Sequence, residues 1–217
     1  CHFATNIISV SNGVKKVIFE DKLTSKKVDV IGNGSINGID LNYFNKNGID
    51  VAITKKKYNI DENDFVFGFI GRLVKDKGIN ELVNVFSELS KEYPNSKLLL
   101  VGSYEQELDP LLTETLNEIT FNEKIVFAGV QKDVRPFYAM MNVFVFPSYR
   151  EGFGIVLMEA SAMGIPSISS NIIGCNEIIT NNENGFLIEP KNEDDLLEKM
   201  KFCINNPQNL FKMANNA

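Results

Sequence analysis

The chain has 217 residues (24.3 kDa), of which 44% are hydrophobic and 23% charged, enough for one large domain or one and a half small ones. Its formal net charge of −6 disfavours the usual basic kind of nucleic-acid-binding protein, so nucleic acid is not expected among its partners. The charge is unevenly spread, since residues 1–60 are net positive and residues 61–217 are net negative.

The first 64 residues predict a strand, a short helix and a second strand. The strands are expected at Asn6–Val10 and Val28–Ile31, with the helix at Gly13–Phe19. A polar, Lys-rich stretch follows at residues 45–64. No partner strand precedes Asn6–Val10, so we expect that strand to be exposed or to pair with another molecule.

From residue 65 onward, short apolar runs alternate with segments of helical period, which is typical of a doubly wound α/β domain with a parallel sheet. The predicted strands are Phe65–Ile70, Lys97–Val101, Ile125–Ala128, Val143–Phe146, Pro166–Ser169 and Gly185–Ile188. The predicted helices are Asn80–Glu92, Glu107–Phe121, Val134–Met140, Gly154–Ala162, Cys175–Thr180 and Glu193–Ile204. Asn192 is the expected N-cap of the last helix.

The cysteines and the apolar runs limit the class of protein further. Cys1, Cys175 and Cys203 show no C-x-x-C spacing, so neither a disulfide framework nor a zinc site is predicted. The longest apolar run, Phe65–Gly71, is far shorter than the ~20 residues that span a bilayer. Because the sequence begins without Met and ends in a polar run, we expect a fragment of a longer protein.

The first candidate site is the segment Gly71–Gly78, which reads GRLVKDKG and lies between a predicted strand and a predicted helix. Backbone N–H groups at the start of the helix, together with Arg72 and Lys77, would meet at the carboxyl edge of the sheet, where anions bind. A solvated Lys-rich turn is an equally good interpretation of this segment taken alone.

The second candidate is the segment Glu151–Ala160, which reads EGFGIVLMEA. Its glycines allow the backbone to approach a ligand closely where a helix begins. Glu151 would lie in the loop and Glu159 in the helix, about two turns or ~12 Å apart. That separation suits the two ends of one elongated ligand better than acid/base work on one bond. The alternatives are a solvated loop acid for Glu151 and a helix-dipole contact for Glu159.

The remaining motifs give weaker evidence of function. The phrase GNGSING at Gly32–Gly38 has its third glycine one place too late for a dinucleotide fingerprint, and no P-loop phrase occurs. His2 is the only histidine, so a Ser-His-Asp or Cys-His nucleophile is not expected. Cys175 lies at a predicted helix entry, which can lower the pKa of a thiol, although a small helix-start residue is the simpler interpretation.

Taken together, these phrases resemble the carboxyl-terminal half of a retaining GT-B glycosyltransferase of family four, in the branch that builds bacterial capsule, O-antigen or exopolysaccharide. The matching phrases follow the family's order over nearly the whole chain. They are Ser9–Gly13, Val30–Gly34, Asn37–Asp40, Gly71–Leu73, Lys77–Gly78, Phe127–Gly129, Asp133–Val134 with Tyr138, Phe146–Ser148, Glu151–Gly154, Glu159–Ala160, Gly164–Pro166 and Gly185–Leu187.

The resemblance implies a Rossmann-like doubly wound parallel sheet and roles for the matched residues. Arg72 and Lys77 would hold the donor diphosphate and, with Glu151 on the donor sugar, serve catalysis. Glu159 would accept the ribose hydroxyls. The other implied donor-binding residues are Gly34, Ser35, Gly152, Phe153, Gly154, Ile155 and Val156. Residues 1–30 would be a remnant of the acceptor domain and its linker, and residues 31–217 a donor-binding domain truncated at its carboxyl end.

The resemblance also implies a reaction. A hexose or N-acetylhexosamine would pass with retention from a nucleotide sugar, expected to be UDP-linked, to a glycan or lipid-linked acceptor held by the missing amino-terminal domain. The cations would replace a metal, so no metal and no other cofactor are expected. A cytoplasmic location, peripheral membrane association of the longer protein and an inactive fragment are expected too. The alternative is a non-catalytic nucleotide- or sugar-binding module.

Overall fold

A computed structural model describes residues 3–35, 37–105 and 107–216, so Cys1 and His2 lie outside the described residues. The strands are β1 (Ile7–Ser9), β2 (Val28–Val30), β3 (Phe65–Ile70), β4 (Ser96–Val101), β5 (Ile125–Gly129), β6 (Val143–Phe146), β7 (Ser167–Ser170) and β8 (Gly185–Ile188). The helices are α1 (Asn12–Glu20), α2 (Val51–Lys57), α3 (Ile79–Glu92), α4 (Thr113–Phe121), α5 (Arg135–Met140), α6 (Ile155–Ala162), α7 (Glu193–Asn205) and α8 (Pro207–Asn216).

Strands β3 to β8 form one parallel sheet in the order β5-β4-β3-β6-β7-β8. The central strands β3, β4 and β6 are nearly continuous buried apolar runs, because helices cover the sheet on both faces. The strand order reverses between β3 and β6, and the connections that follow these two neighbours lead to opposite sides. Such a reversal opens a crevice at the carboxyl ends of the strands. The predicted doubly wound fold is therefore confirmed.

The core lies between this sheet and its helices. Phe67 and Phe69 of β3 are fully buried, as are three successive leucines of β4 at residues 98–100. Helix α3 buries the predicted stripe, with Leu82 and Phe86 inaccessible to solvent. The Asn192 side chain accepts from the Asp195 N–H at 3.0 Å, which confirms the predicted N-cap of α7.

The first strand has a parallel partner within the chain, which was not predicted because β2 follows it rather than precedes it. Its other edge pairs with no strand among the described residues, so the expectation of an exposed or intermolecularly paired edge stays a prediction. β1 pairs in parallel with β2, with Ile7 opposite Val28. Helix α1 forms the crossover connection between these two parallel strands. The partner of β1 therefore follows it in the sequence. Both carboxylate oxygens of Glu177 accept backbone N–H groups at the start of α1, each at 2.9 Å, which joins this small sheet to the larger unit.

Two predicted helices differ from the structure. The helix predicted at Glu107–Phe121 begins only at Thr113, because Leu112 has an extended backbone. Asp109, before it, contacts the loop after β3 instead. The helix predicted at Cys175–Thr180 is wrong, since residues 173–178 form turns. Conversely, α2 lies within the stretch 45–64 and α8 near the carboxyl end, where no helix was predicted.

The loops after β3 and β6 touch at a glycine. Gly78 ends the 3-10 turn Lys75–Lys77 and begins α3 with a left-handed φ of +71°. A Cβ at Gly78 would overlap the carbonyl oxygen of Pro147, which belongs to the loop after β6. This close approach fixes the distance between the two candidate segments, so only glycine fits.

Gly78→Ala should therefore lower the free energy of unfolding more than a substitution that adds backbone strain alone. Gly48 is a matched control, because its φ is +74° and a Cβ there would meet nothing within 4 Å. We expect a loss of about 1 kcal/mol for Gly48→Ala and a loss larger by ~2 kcal/mol or more for Gly78→Ala. Urea unfolding measures both, and equal losses would contradict the close approach.

Candidate functional site

The loops after β3 and β6 border a solvent-open cavity of about 420 Å³ at the carboxyl edge of the sheet. It is lined by Arg72, Asp76, Lys77, Arg150, Glu151 and Gly152. The structure thus brings together the two sequence segments that were predicted separately as an anion site and a ligand-gripping phrase. Three cations from two loops face this one cavity, which favours a polyanionic ligand.

Lys77 and Glu151 form an ion pair across the cavity, from Lys77 Nζ to Glu151 Oε1. Their side chains are only 15% and 16% exposed, so both charges are largely removed from water. The Ser148 hydroxyl lies 3.4 Å from the same Glu151 oxygen, and Lys77 Nζ lies 5.4 Å from the centre of the Phe146 ring. Burial costs both groups solvation, so losing either partner would leave a charge in need of a counterion.

The other two cations are also paired with acids, but in exposed positions. Arg72 Nη1 lies 2.7 Å from Glu105 Oε2, and Arg150 Nη2 lies 2.5 Å from Asp76 Oδ2. The Arg72 side chain is 57% exposed and that of Arg150 is 83% exposed. Exposed pairs contribute only about 0–1 kcal/mol. An anionic ligand could therefore displace either carboxylate at little cost.

Asp76 is the point where three loops meet. Its N–H donates to Asp109 Oδ2 at 2.7 Å, and its C=O accepts from the Tyr149 N–H at 2.9 Å. Its carboxylate holds Arg150, while the Tyr149 hydroxyl donates to Glu81 at the start of α3. These bonds hold the loops after β3, β4 and β6 in one arrangement.

Glu159 lies in α6 and does not line the cavity, so the two glutamates have different surroundings. The Tyr138 hydroxyl donates to Glu159 Oε2 at 2.9 Å, with the Val156 carbonyl oxygen 3.1 Å away. Burial raises the pKa of Glu159 above its usual range, and the hydrogen bond from Tyr138 partly opposes this rise. Burial and the Glu159 charge raise the pKa of Tyr138 well above its ordinary value, so the phenol stays a donor.

The predicted residues Gly34 and Phe153 touch. Gly34 has a φ of +106°, and a Cβ there would lie 2.7 Å from the Val10 carbonyl oxygen and 2.8 Å from the Phe153 ring. The Ser35 N–H donates to the carbonyl of Val10, directly after β1, at 2.7 Å, and its Oγ accepts from the Gly38 N–H at 3.2 Å. Gly34 therefore packs on the segment that contains Glu151.

The backbone groups predicted to meet the ligand are partly engaged within the chain. The Gly154 N–H donates to the Gly174 carbonyl at 3.0 Å, and the Ile155 N–H donates to the Phe153 carbonyl at 2.9 Å. The Val156 carbonyl lies within hydrogen-bond distance of the Tyr138 hydroxyl. A phosphate could use the first two N–H groups only by replacing these bonds.

Glu105 and Asp109 were not predicted as site residues. Asp109 fell within the predicted helix Glu107–Phe121, whereas Glu105 lies far from Arg72 in the sequence. The signal that could have found Asp109 is the Asp109-Pro110 dipeptide, since a residue before proline avoids the helical region. The idea that the pKa of Cys175 is lowered at a helix entry is wrong. Burial raises the pKa of this thiol to about 11.

Two further kinds of feature are absent from residues 3–35, 37–105 and 107–216. No group of three or more His, Cys, Asp or Glu side chains there could hold a metal ion. Within the same residues, every helix is too short or too polar to cross a membrane.

Comparison with known proteins places the chain in a family. Residues 50–217 match the family model of the group 1 glycosyl transferases, so the chain belongs to that family. It is 40% identical over 204 residues to the capsular polysaccharide biosynthesis glycosyltransferase CapM of Staphylococcus aureus, covering 93% of this chain and 53% of CapM. The predicted glycosyltransferase resemblance is thereby confirmed.

Two more relatives extend the comparison. The chain is 29% identical over 203 residues to the UDP-Gal:alpha-D-GlcNAc-diphosphoundecaprenol alpha-1,3-galactosyltransferase of Escherichia coli, covering 90% of this chain and 50% of that enzyme. Its fold matches Anabaena Alr3699/HepE, solved in complex with UDP, with a TM-score of 0.87 and 25% identity over 99% of this chain and 58% of HepE. The chain spans about half the length of the curated relatives it matches.

The raised pKa of Glu159 predicts a pH dependence of stability. A carboxyl whose pKa is higher in the folded than in the unfolded chain contributes stability below its ordinary pKa, and that contribution is lost as the pH rises through the folded value. Glu159→Gln stays neutral and can still accept from Tyr138. Its stability relative to the natural chain should therefore rise as the pH increases from about 4, the ordinary pKa of a glutamate, toward neutral pH.

Denaturant unfolding across this pH range measures the difference, and Glu114→Gln, at an exposed residue, controls for the loss of one negative charge. A difference that is flat, or that falls with pH, would show that burial does not raise the pKa of Glu159.

Proposed function

We propose that this chain is the donor-binding half of a glycosyltransferase that transfers a sugar from a UDP-sugar to a glycan or lipid-linked acceptor during cell-surface polysaccharide synthesis. The observation that carries the proposal is the cavity at the strand-order reversal, where Arg72, Lys77 and Arg150 face one space. The names of the relatives support the substrate class: HepE was solved with UDP, and the Escherichia coli enzyme uses a lipid diphosphate acceptor.

The diphosphate of the donor would replace the carboxylates that now hold the cations. Lys77 would leave Glu151 for a phosphate oxygen, and Arg72 would leave Glu105. Both cations would then stabilise the negative charge that develops on the leaving diphosphate as the glycosidic bond breaks. Glu151, released from Lys77, would accept hydroxyl groups of the transferred sugar.

The nucleoside would lie toward α6. Glu159 is held by Tyr138 through one oxygen, and its carboxylate would accept the ribose hydroxyls. Gly34 and Ser35 would close over the diphosphate, since their loop already packs on Phe153. Gly152 lines the cavity, and Gly154, Ile155 and Val156 begin α6 beside it, so their backbone could meet the phosphates.

The remaining parts of the proposal concern the longer protein. Residues 1–30 would belong to an acceptor-binding domain and residues 31–217 to the donor domain. Transfer would retain the anomeric configuration, the sugar would be a hexose or N-acetylhexosamine, and the enzyme would work in the cytoplasm at the membrane surface. The cations would take the place of a divalent metal, so donor binding would need none.

If Arg72 and Lys77 hold the diphosphate, Arg72→Ala and Lys77→Ala should each weaken UDP binding by about 1.5–3 kcal/mol, as expected for charge-assisted hydrogen bonds. Uridine, which lacks phosphate, should bind nearly as before. Isothermal titration with both ligands, with and without EDTA, measures these effects.

Lys75→Ala is the matched control, because Lys75 is an exposed cation of the same turn that does not line the cavity. Equal losses for uridine and UDP, or an equal loss in Lys75→Ala, would contradict a diphosphate site. Loss of UDP binding in EDTA would contradict metal-free binding.

Glu151→Gln should change the preference between ligands rather than abolish binding. The substitution removes the counterion of Lys77, so UDP should bind at least as tightly as before. UDP-glucose should lose about 1–2 kcal/mol relative to UDP, because the charged acceptor of its sugar hydroxyls is gone. Competition titration measures this ratio, and an unchanged ratio would place the sugar elsewhere.

A further inference from the structure

Residues 103–105 and 107–111, between β4 and α4, lie against the loop after β3, although a helix was predicted from Glu107 onward. The Leu73 N–H donates to the Ser103 carbonyl at 2.8 Å, and Leu111 is buried at the far end of the segment. Between these two anchors, the Lys75 N–H lies 3.4 Å from the Asp109 carbonyl oxygen. The segment therefore runs beside the turn that carries Arg72 and Lys77.

Asp109 makes the contact that reaches closest to the cavity. Its Oδ2 accepts the backbone N–H of Asp76 at 2.7 Å in partly buried surroundings. Asp76 lines the cavity and directly precedes Lys77, so this bond orients the peptide next to the lysine. A short hydrogen bond to a carboxylate is stronger than one between neutral groups.

The backbone of Asp76 passes the constraint on to the loop after β6 through its next peptide group, since its N–H belongs to the Lys75–Asp76 peptide and its C=O to the Asp76–Lys77 peptide. The Asp76 carbonyl accepts from the Tyr149 N–H at 2.9 Å, two residues before Glu151. Asp109 therefore lies at one end of a chain of hydrogen bonds that runs through the backbone of Asp76 and ends at the loop bearing Glu151. The chain fixes the backbone one residue before Lys77 and two residues before Glu151.

Charge alone would argue against an acid at this place. A carboxylate beside an anion-binding cavity repels the ligand, so Asp109 lowers affinity unless its hydrogen bond does more than its charge costs. The structure gives it that bond, and an amide oxygen at the same position could accept the N–H without the charge.

We propose that Asp109 is a positioning residue for the donor diphosphate. It touches no ligand and acts by fixing the backbone of Asp76, which sets the positions of Lys77 and Glu151. The inference rests on the proposed function, since it assumes that the cavity holds a diphosphate. Asp109 shapes the phosphate end of the site and leaves the nucleoside end unaffected.

The test compares Asp109→Ala with Asp109→Asn and with Glu107→Ala, at an exposed residue of the same segment. Each variant of the 217-residue chain is titrated with UDP and with uridine, and its thermal unfolding is recorded. Asp109→Ala should lower the affinity for UDP by about tenfold or more, as expected for loss of a charge-assisted hydrogen bond. It should lower the affinity for uridine by less than about twofold. Asp109→Asn should bind UDP at least as well as the natural chain, and Glu107→Ala should be unchanged.

Several outcomes would overturn the inference. The first is that Asp109→Ala binds UDP as tightly as the unsubstituted chain. The second is that Asp109→Ala loses equal affinity for UDP and for uridine. The third is that Asp109→Asn loses as much UDP affinity as Asp109→Ala. If Asp109→Ala does not fold, Asp109→Glu decides, because it keeps the charge but displaces the acceptor oxygen. Weakened UDP binding by that variant supports the inference, and natural affinity overturns it.

Lys77→Ala, measured in the same series, distinguishes a failure of the positioning role from a failure of the proposed diphosphate site. If Lys77→Ala loses UDP selectively while Asp109→Ala does not, the positioning role is wrong and the proposed function stands. If Lys77→Ala keeps natural UDP affinity, the diphosphate site and the positioning role fall together.

Discussion

The ion pair between Lys77 and Glu151 is the interaction on which the site depends. It joins the loops that follow two neighbouring parallel strands, and both side chains are largely shielded from water. Burying such a pair costs solvation that the mutual attraction only partly returns, so the pair adds little to the stability of the fold. Under the proposed function, the pair holds a poorly hydrated lysine in place next to a carboxylate that an incoming diphosphate could replace.

The sheet determines where this pair can form. The strand order reverses between β3 and β6, so the loops after these strands diverge and leave a crevice. Gly78 lets the two loops approach each other, and Asp76 ties them together through its peptide and its carboxylate. The acids that hold Arg72 and Arg150 are more exposed than Glu151, so a ligand would meet two weakly held cations before it displaces the buried pair.

Local signals predicted much of this arrangement. The apolar runs of the six-stranded sheet, the stripe of α3 and the two charged phrases all lie in short, contiguous segments. The features that the sequence did not predict depend on contacts between residues that are distant in the chain. The pairing of β1 depends on a strand that follows the α1 crossover, and the leucines at residues 108–116 have a helical period that hid the role of Asp109. There the hydrogen bond to Asp76, together with Pro110, outweighs helix propensity, which is worth only a few tenths of a kcal/mol per residue. No sequence pattern could show that Glu105 holds Arg72, because 32 residues and a β-strand separate them.

The central claim is that the cations at the carboxyl edge exchange carboxylate partners for a diphosphate. A crystal structure of this chain with UDP tests it most directly. The account predicts phosphate oxygens within hydrogen-bond distance of Lys77 Nζ and the Arg72 guanidinium, with Lys77 no longer bonded to Glu151 and the ribose on Glu159. UDP bound elsewhere, or bound at this edge with the Lys77–Glu151 pair intact and no phosphate on either cation, would contradict the account.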